Sequence, residues 1–304
     1  MSAPILTGPR WVTVRQHRHV LRALPAVVAT SLAGVVALRW WAANGADLYP
    51  SSPDGPLRSA MDVAGIGMLL LPLLVGAFVA GPMVARELES GTYRLALTQS
   101  STPRAWLAAK ITVASAAAVA GSAALAGVYR LGWLPLDGTY QFSWADRGPY
   151  ESTGTVIVAY CLLGVAVGAL AGQLLRRTLA AMAVTGLVTG LVMVVLGALR
   201  WSFMPVRTIT TSTAPGVPEL PKDALMMDLG LTTASGGRLP EGACFARTRS
   251  MSHCPPDMEV TGWYLDYHPY AHYWPTQSIE TAVVLVLAAL ALWGAFAVLR
   301  ARHP

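Results

Sequence analysis

Six stretches of the chain carry no charged residue and are apolar almost throughout: residues 23–38, 63–85, 111–129, 152–175, 178–199 and 281–299. Five of them reach the length of about 18 residues that lets a helix cross a bilayer. The first is shorter, and Trp40 and Trp41 extend it into the interface, where amphipathic rings settle, with Arg39 snorkelling outward. Lipid offers the backbone no hydrogen-bond partner, so each crossing is predicted to be a helix. The pattern predicts an all-α membrane protein of six transmembrane helices. A cleaved signal peptide is the competing reading of the first stretch. Trp40 and Trp41 stand where small residues should precede a cleavage site, which argues for a retained helix.

Composition agrees. Of 304 residues, 54% are hydrophobic and only 12% charged, and mean hydropathy is +0.48. A soluble domain of this size carries roughly 25% charged residues, so much of this surface must face lipid. The net charge of +6 invites a nucleic-acid partner. The basic residues form no run with interleaved aromatics, however; they flank the apolar stretches, and nucleic acid is excluded as a partner.

Their distribution orients the chain. With the N-terminus inside, the inner side holds Arg10, Arg15, Arg18, Arg22, Arg86, Arg94, Arg104, Lys110, Arg176, Arg177, Arg300 and Arg302, opposed only by Glu87 and Glu89. That is +10 inside and −4 outside, together the chain's +6, as the positive-inside bias requires. Both termini are thus expected in the cytoplasm. Four regions follow: an interfacial N-terminal helix (1–22), helices one to five (23–199) with an inner loop at 85–106, a large external segment (200–277) between helices five and six, and helix six with a cytoplasmic tail (278–304).

The external segment holds Cys244 and Cys254. If it lies outside the cytoplasm, an oxidising compartment would join them; otherwise they stay free thiols. Cys161, inside an apolar run, is expected to pack as a small core residue. The run from Trp263 to Trp274 is aromatic and fits an interfacial belt before helix six. Asp266, His268 and His272 within it could ligate a metal, but Pro269 interrupts the spacing a helical site would need, and no metal site is assigned.

Two features are positioned to act. Gly164, Gly168 and Gly172 recur every four residues, as do Gly186 and Gly190. Small residues at this spacing admit close helix approach, within the chain or at a dimer face. The inner loop offers the second. Gly91 can end one helix, Thr92–Leu97 can form a short turn, and Ser101 or Thr102 can cap the next with Pro103 at its first position. The result is a short helix lying across the inner face, a shape suited to contact with another protein.

The run Arg86-Glu87-Leu88-Glu89-Ser90-Gly91-Thr92, followed by Leu95, Thr98, Ser101, Arg104 and Lys110, resembles the corresponding loop of ABC-2 type transporter permeases, most closely those of GC-rich actinobacteria. The resemblance implies that a separate ATPase docks here. Glu87, Glu89, Gly91, Thr92, Arg94, Gln99 and Arg104 would form its contact, with Thr92 through Gln99 as the coupling helix. It also implies a second permease copy, export, and localisation as a multi-pass protein of the cell membrane; the cargo is expected to be amphipathic because the lining would be apolar with few charges. The external segment is longer than the family's usual pair of short re-entrant helices.

The chain has no phosphate-binding loop, since neither Lys110 nor Lys222 follows a Gly-rich turn. ATP and Mg would therefore bind the partner, with no cofactor on this chain. Neither His-Glu-x-x-His nor Gly-x-Ser-x-Gly occurs, and no Asp, Glu or Lys falls inside the charge-free stretches. This weighs against a membrane enzyme and against a proton-coupled carrier. A sensor or scaffold acting through the external segment is the alternative class.

Overall fold

A computed structural model describes residues 8–44, 55–93, 102–139, 142–212, 216–249 and 254–302. The chain divides into two compact units, Met1–Arg200 with Gln277–Pro304, and Trp201–Thr276.

Helices are numbered in chain order: α1 (Pro9–Gln16), α2 (Arg18–Ala43), α3 (Pro56–Glu89), α4 (Pro103–Trp133), α5 (Arg147–Thr153), α6 (Val156–Leu175), α7 (Thr178–Leu199), α8 (Phe245–Thr248) and α9 (Tyr273–Arg302). Among the described residues α2, α3, α4, α6, α7 and α9 are long and apolar enough to cross a membrane. Pro56 and Pro103 each begin a helix, where the missing N–H costs nothing. The helices overrun the charge-free stretches, so Asp62, Lys110 and Glu280 lie in their end turns.

α3 changes pitch midway. From Val75 to Ala80 it is π-helical, with the Gly81 N–H bonded to the Gly76 carbonyl five residues back. Pro82 follows immediately; its ring would crowd the carbonyl of Phe78 in a regular helix, and the wider turn relieves the clash.

α6 is the buried centre of the helical unit, with 83% of its apolar window enclosed against 28% for α7. Its glycines make this possible. Gly164 places a Cβ position 3.1 Å from the Gly76 Cα, Gly168 would meet Ala80 Cβ at 2.8 Å, and Gly172 would meet Val84 Cβ at 2.9 Å. The two backbones touch where any side chain would hold them apart. Gly186 and Gly190 of α7 face Ala77 and Leu73 of the same α3. The other side of α7 turns Leu187, Leu191 and Val194 outward, a continuous apolar surface suited to lipid. α2 sits against α4 through Leu24 on Gly121 and Val35 on Gly132. Arg39 does not reach outward alone; its guanidinium donates to the Leu131 carbonyl at 2.8 Å.

Cys161 is buried in a cluster with Ala80, Met83, Ala114, Ala118 and Val165, as expected of a small packing residue. The fourth crossing starts at Val156 rather than residue 152. Gly154 breaks α5 from α6 because the Gln277 amide lies 2.3 Å from where its Cβ would be, and the Gln277 side chain bonds the Val156 N–H and the Tyr150 carbonyl.

The second unit corrects the all-α expectation. It holds a four-stranded antiparallel sheet, ordered β1-β4-β2-β3, from β1 (Arg207–Ser212), β2 (Leu225–Thr233), β3 (Arg238–Pro240) and β4 (Val260–His268). The chemistry is local: β1 and β4 are rich in Thr, Val, Trp and Tyr, and Ser235-Gly236-Gly237 turns β2 into β3. The belt reading of Trp263 to Trp274 is corrected with it. Its first half belongs to β4, one of the two inner strands, and Trp263 packs with Leu231 and Cys244. Cys244 and Cys254 are joined in a disulfide.

Candidate coupling site

α3 ends at Glu89, and Gly91 follows with φ +73°, a left-handed turn natural to glycine that stops the helix. The Thr102 hydroxyl accepts the Ala105 N–H and caps α4, with Pro103 first in the helix. The two ends of the inner loop are therefore built as the sequence suggests. Arg94 and Gln99 lie outside the described residues, with nearly all of the expected coupling helix.

The two carboxylates at the end of α3 diverge. Glu87 turns inward to α4, where Oε1 accepts Lys110 Nζ at 2.7 Å and Oε2 accepts the Trp106 indole at 2.9 Å. Lys110 is 2% exposed and Glu87 19%. Trp106 and Lys110 are one helical turn apart, so both project from one face of α4. Below them Val84, Trp106, Leu107, Ile111, Ala169, Ala295 and Leu299 form one buried cluster from α3, α4, α6 and α9. The end of α3 thus packs directly against three other helices.

Glu89 turns the other way. Its Oε2 accepts the backbone N–H of Thr178 at 2.8 Å and its hydroxyl at 2.5 Å. A carboxylate on the first N–H groups of α7 satisfies orphan donors and meets the positive end of the helix dipole. Glu87 and Glu89, read from sequence as contacts for a partner, are thus engaged within the chain. Arg86, Thr92 and Arg104 remain exposed around them, and Ser90 and Thr92 share a hydrogen bond of 2.9 Å.

The structure adds His17, at the junction of α1 and α2. Burial holds its imidazole below the ordinary range, the Lys110 ammonium acts in the same direction, and Glu87 acts against both. A groove of about 640 Å³ runs from His17 and Val20 to Phe78, Met83, Arg86 and Glu87. Sequence gave no sign of His17 or Thr178. Lys110 was visible as an inner charge and as the last residue of the run that carries the resemblance, but its pairing with Glu87 was not.

At the opposite end of the bundle, Arg200 donates to Glu280 at 2.9 and 3.0 Å and to Glu151 at 2.9 Å, all three side chains nearly fully enclosed. Tyr160 donates to Glu280 at 2.7 Å, and Arg200 lies 3.9 Å over the Tyr150 ring. Four helices, α5, α6, α7 and α9, meet at this one cation.

In the sheet unit His268 and His272 meet through their Nδ1 atoms at 2.9 Å. Asp266 is spent elsewhere, accepting from Thr208 and Arg238. No group of three metal-ligating side chains occurs among the described residues.

Residues 54–200, which hold α3 through α7, match the family described as ABC-2 membrane transporter related. No curated protein matches the chain.

Proposed function

We propose that this chain, an ABC-2 type permease and multi-pass membrane protein, is the membrane-spanning subunit of an ATP-driven exporter in the cell membrane. The observation that carries the reading is the loop after α3: Glu87 fastens it to α4 and Glu89 to α7, while Arg86, Thr92 and Arg104 stay exposed for a partner. A push on this loop reaches α3, α4, α6 and α9 through the cluster around Trp106. The chain has no phosphate loop, so ATP and Mg belong to a separate ATPase subunit on the cytoplasmic face.

In this reading both termini are cytoplasmic and the sheet unit is external, in keeping with the positive-inside bias and the Cys244–Cys254 disulfide. Six spans make half of a pathway, so a second copy completes it. The cargo is an amphipathic small molecule, lipid or peptide, and lipid surrounds the outward faces of α2 and α7. The test is co-purification of an ATPase with the chain from native membranes. An Arg104→Glu variant should lose the ATPase while keeping the fold; retention of the ATPase would move the contact elsewhere.

A second reading, a sensor or scaffold, draws on the disulfide-linked sheet, which is a folded unit able to bind a partner. If that reading were right, no ATPase would co-purify with the chain, and deleting residues 204–272 would abolish its partner binding.

A further inference from the structure

At the end of the helical unit away from the Glu87 loop, a cavity of about 370 Å³ opens between the start of α3, the end of α4 and the turn into α5. Asp62 and Asp146 line it, with Tyr129 and Phe142 as aromatic walls and Ile66 and Leu69 continuing an apolar side. Arg147 also lines it, but its guanidinium is held by Glu151 at 3.2 Å. Arg58 is not among the lining residues; it lies over the Phe142 ring at 4.9 Å and donates to the Thr139 hydroxyl. Among the described residues neither Asp62 nor Asp146 has a basic partner within 4.0 Å.

Tyr129 is the independent sign. It is 3% exposed, lines the cavity, and its hydroxyl has no hydrogen-bond partner among the described residues, although both carboxylates act on it electrostatically. The ring is enclosed while the hydroxyl faces the cavity, where an entering donor can reach it. The space in front of it is kept by glycines: a Cβ at Gly65 would stand 3.3 Å from the hydroxyl, and one at Gly148 3.5 Å. Burial also raises the Asp146 carboxyl above its ordinary range, with only the Ser143 N–H acting against it. A cation would remove that penalty.

We propose that this cavity binds a small organic cation with an apolar body, its charge between Asp62 and Asp146 and its flank against the Tyr129 ring and hydroxyl. Aromatic faces and carboxylates together favour an alkylammonium over a hydrated metal ion. The site is independent of the coupling loop, so it stands or falls separately from ATPase docking.

The test is saturable binding of radiolabelled benzylammonium, whose N–H groups can reach the Tyr129 hydroxyl, to the full chain in a non-ionic detergent, with empty micelles subtracted. Competition by unlabelled cation, and none by benzenesulfonate, is expected. Asp62→Asn with Asp146→Asn should weaken binding by roughly tenfold or more, and Asp228→Asn in the sheet unit should not. Asp62 is exposed, so Asp62→Asn alone, expected to show a smaller loss in the same direction, guards against misfolding. Unchanged affinity in both Asp62 variants, equal competition by the anion, or no saturable binding into the millimolar range overturns the proposal.

Discussion

Lys110 and Glu87 form a nearly enclosed ion pair, 2.7 Å apart, that ties the end of α3 to the face of α4. The pair borders the loop proposed as the docking site, and the Trp106 indole also donates to the carboxylate. A buried pair of this kind adds little over a well-packed apolar substitute, but half of it is costly.

Lys110→Met should therefore destabilise by about 3–5 kcal/mol, because Glu87 is left charged and unpaired. The double variant Lys110→Met with Glu87→Gln should recover most of that loss. Thermal unfolding in detergent checks both; a double variant as unstable as the single one would contradict the account.

The α3–α6 contact gives a graded prediction. Gly168→Ala puts a methyl 2.8 Å from Ala80 Cβ and from the Gly81 nitrogen, which forces backbones apart at a cost of roughly 1–3 kcal/mol. Gly186→Ala meets Ala77 at an ordinary 3.6 Å and should be nearly neutral. Melting temperatures of the two variants should differ in that order.

Six crossings were legible because apolar run length is a one-dimensional signal that the sequence carries directly. The loop's ends were legible for a similar reason: Gly91, Thr102 and Pro103 act on their own backbone. What Glu87 and Glu89 do was not, since their partners Lys110 and Thr178 are distant in sequence and meet them only after the helices pack. Arg200 and Glu280 each lie one residue beyond a charge-free run, so nothing in the pattern showed that the helices extend past those runs and bring the two together. The sheet was missed for a different cause: short Thr- and Tyr-rich strands between turn residues carry far less periodic signal than a 20-residue apolar run.

Arg200→Lys tests the second buried cluster. A lysine cannot reproduce two bonds to Glu280 and one to Glu151 at once, so the variant should stay well below wild-type stability. Full stability with lysine would show that charge alone suffices there.

The Cys244–Cys254 disulfide closes a short loop with a sequence separation of 10. Its loss should cost the sheet unit about 3 kcal/mol on chain-entropy grounds. Near-UV circular dichroism of Cys244→Ser with Cys254→Ser, against wild type during a urea titration, reads the difference.

Acid should loosen the same unit. Burial, with His272 adding to it, lowers the His268 pKa below its ordinary 6.5, so the folded state binds fewer protons than the unfolded one. Stability is then fully present above about pH 6.5 and is lost as pH falls through that value toward the depressed one. His268→Gln should flatten this dependence between pH 7 and 5, as denaturation at fixed pH steps will show.

The most direct test of the account places single cysteines at Thr92, in the exposed loop, and at Asp62, at the far end of α3, for cross-linking in native membranes. The Thr92 position should capture an ATP-hydrolysing subunit, and the Asp62 position should not. Capture at Asp62 alone, or an ATPase that co-purifies yet never cross-links at Thr92, would contradict it.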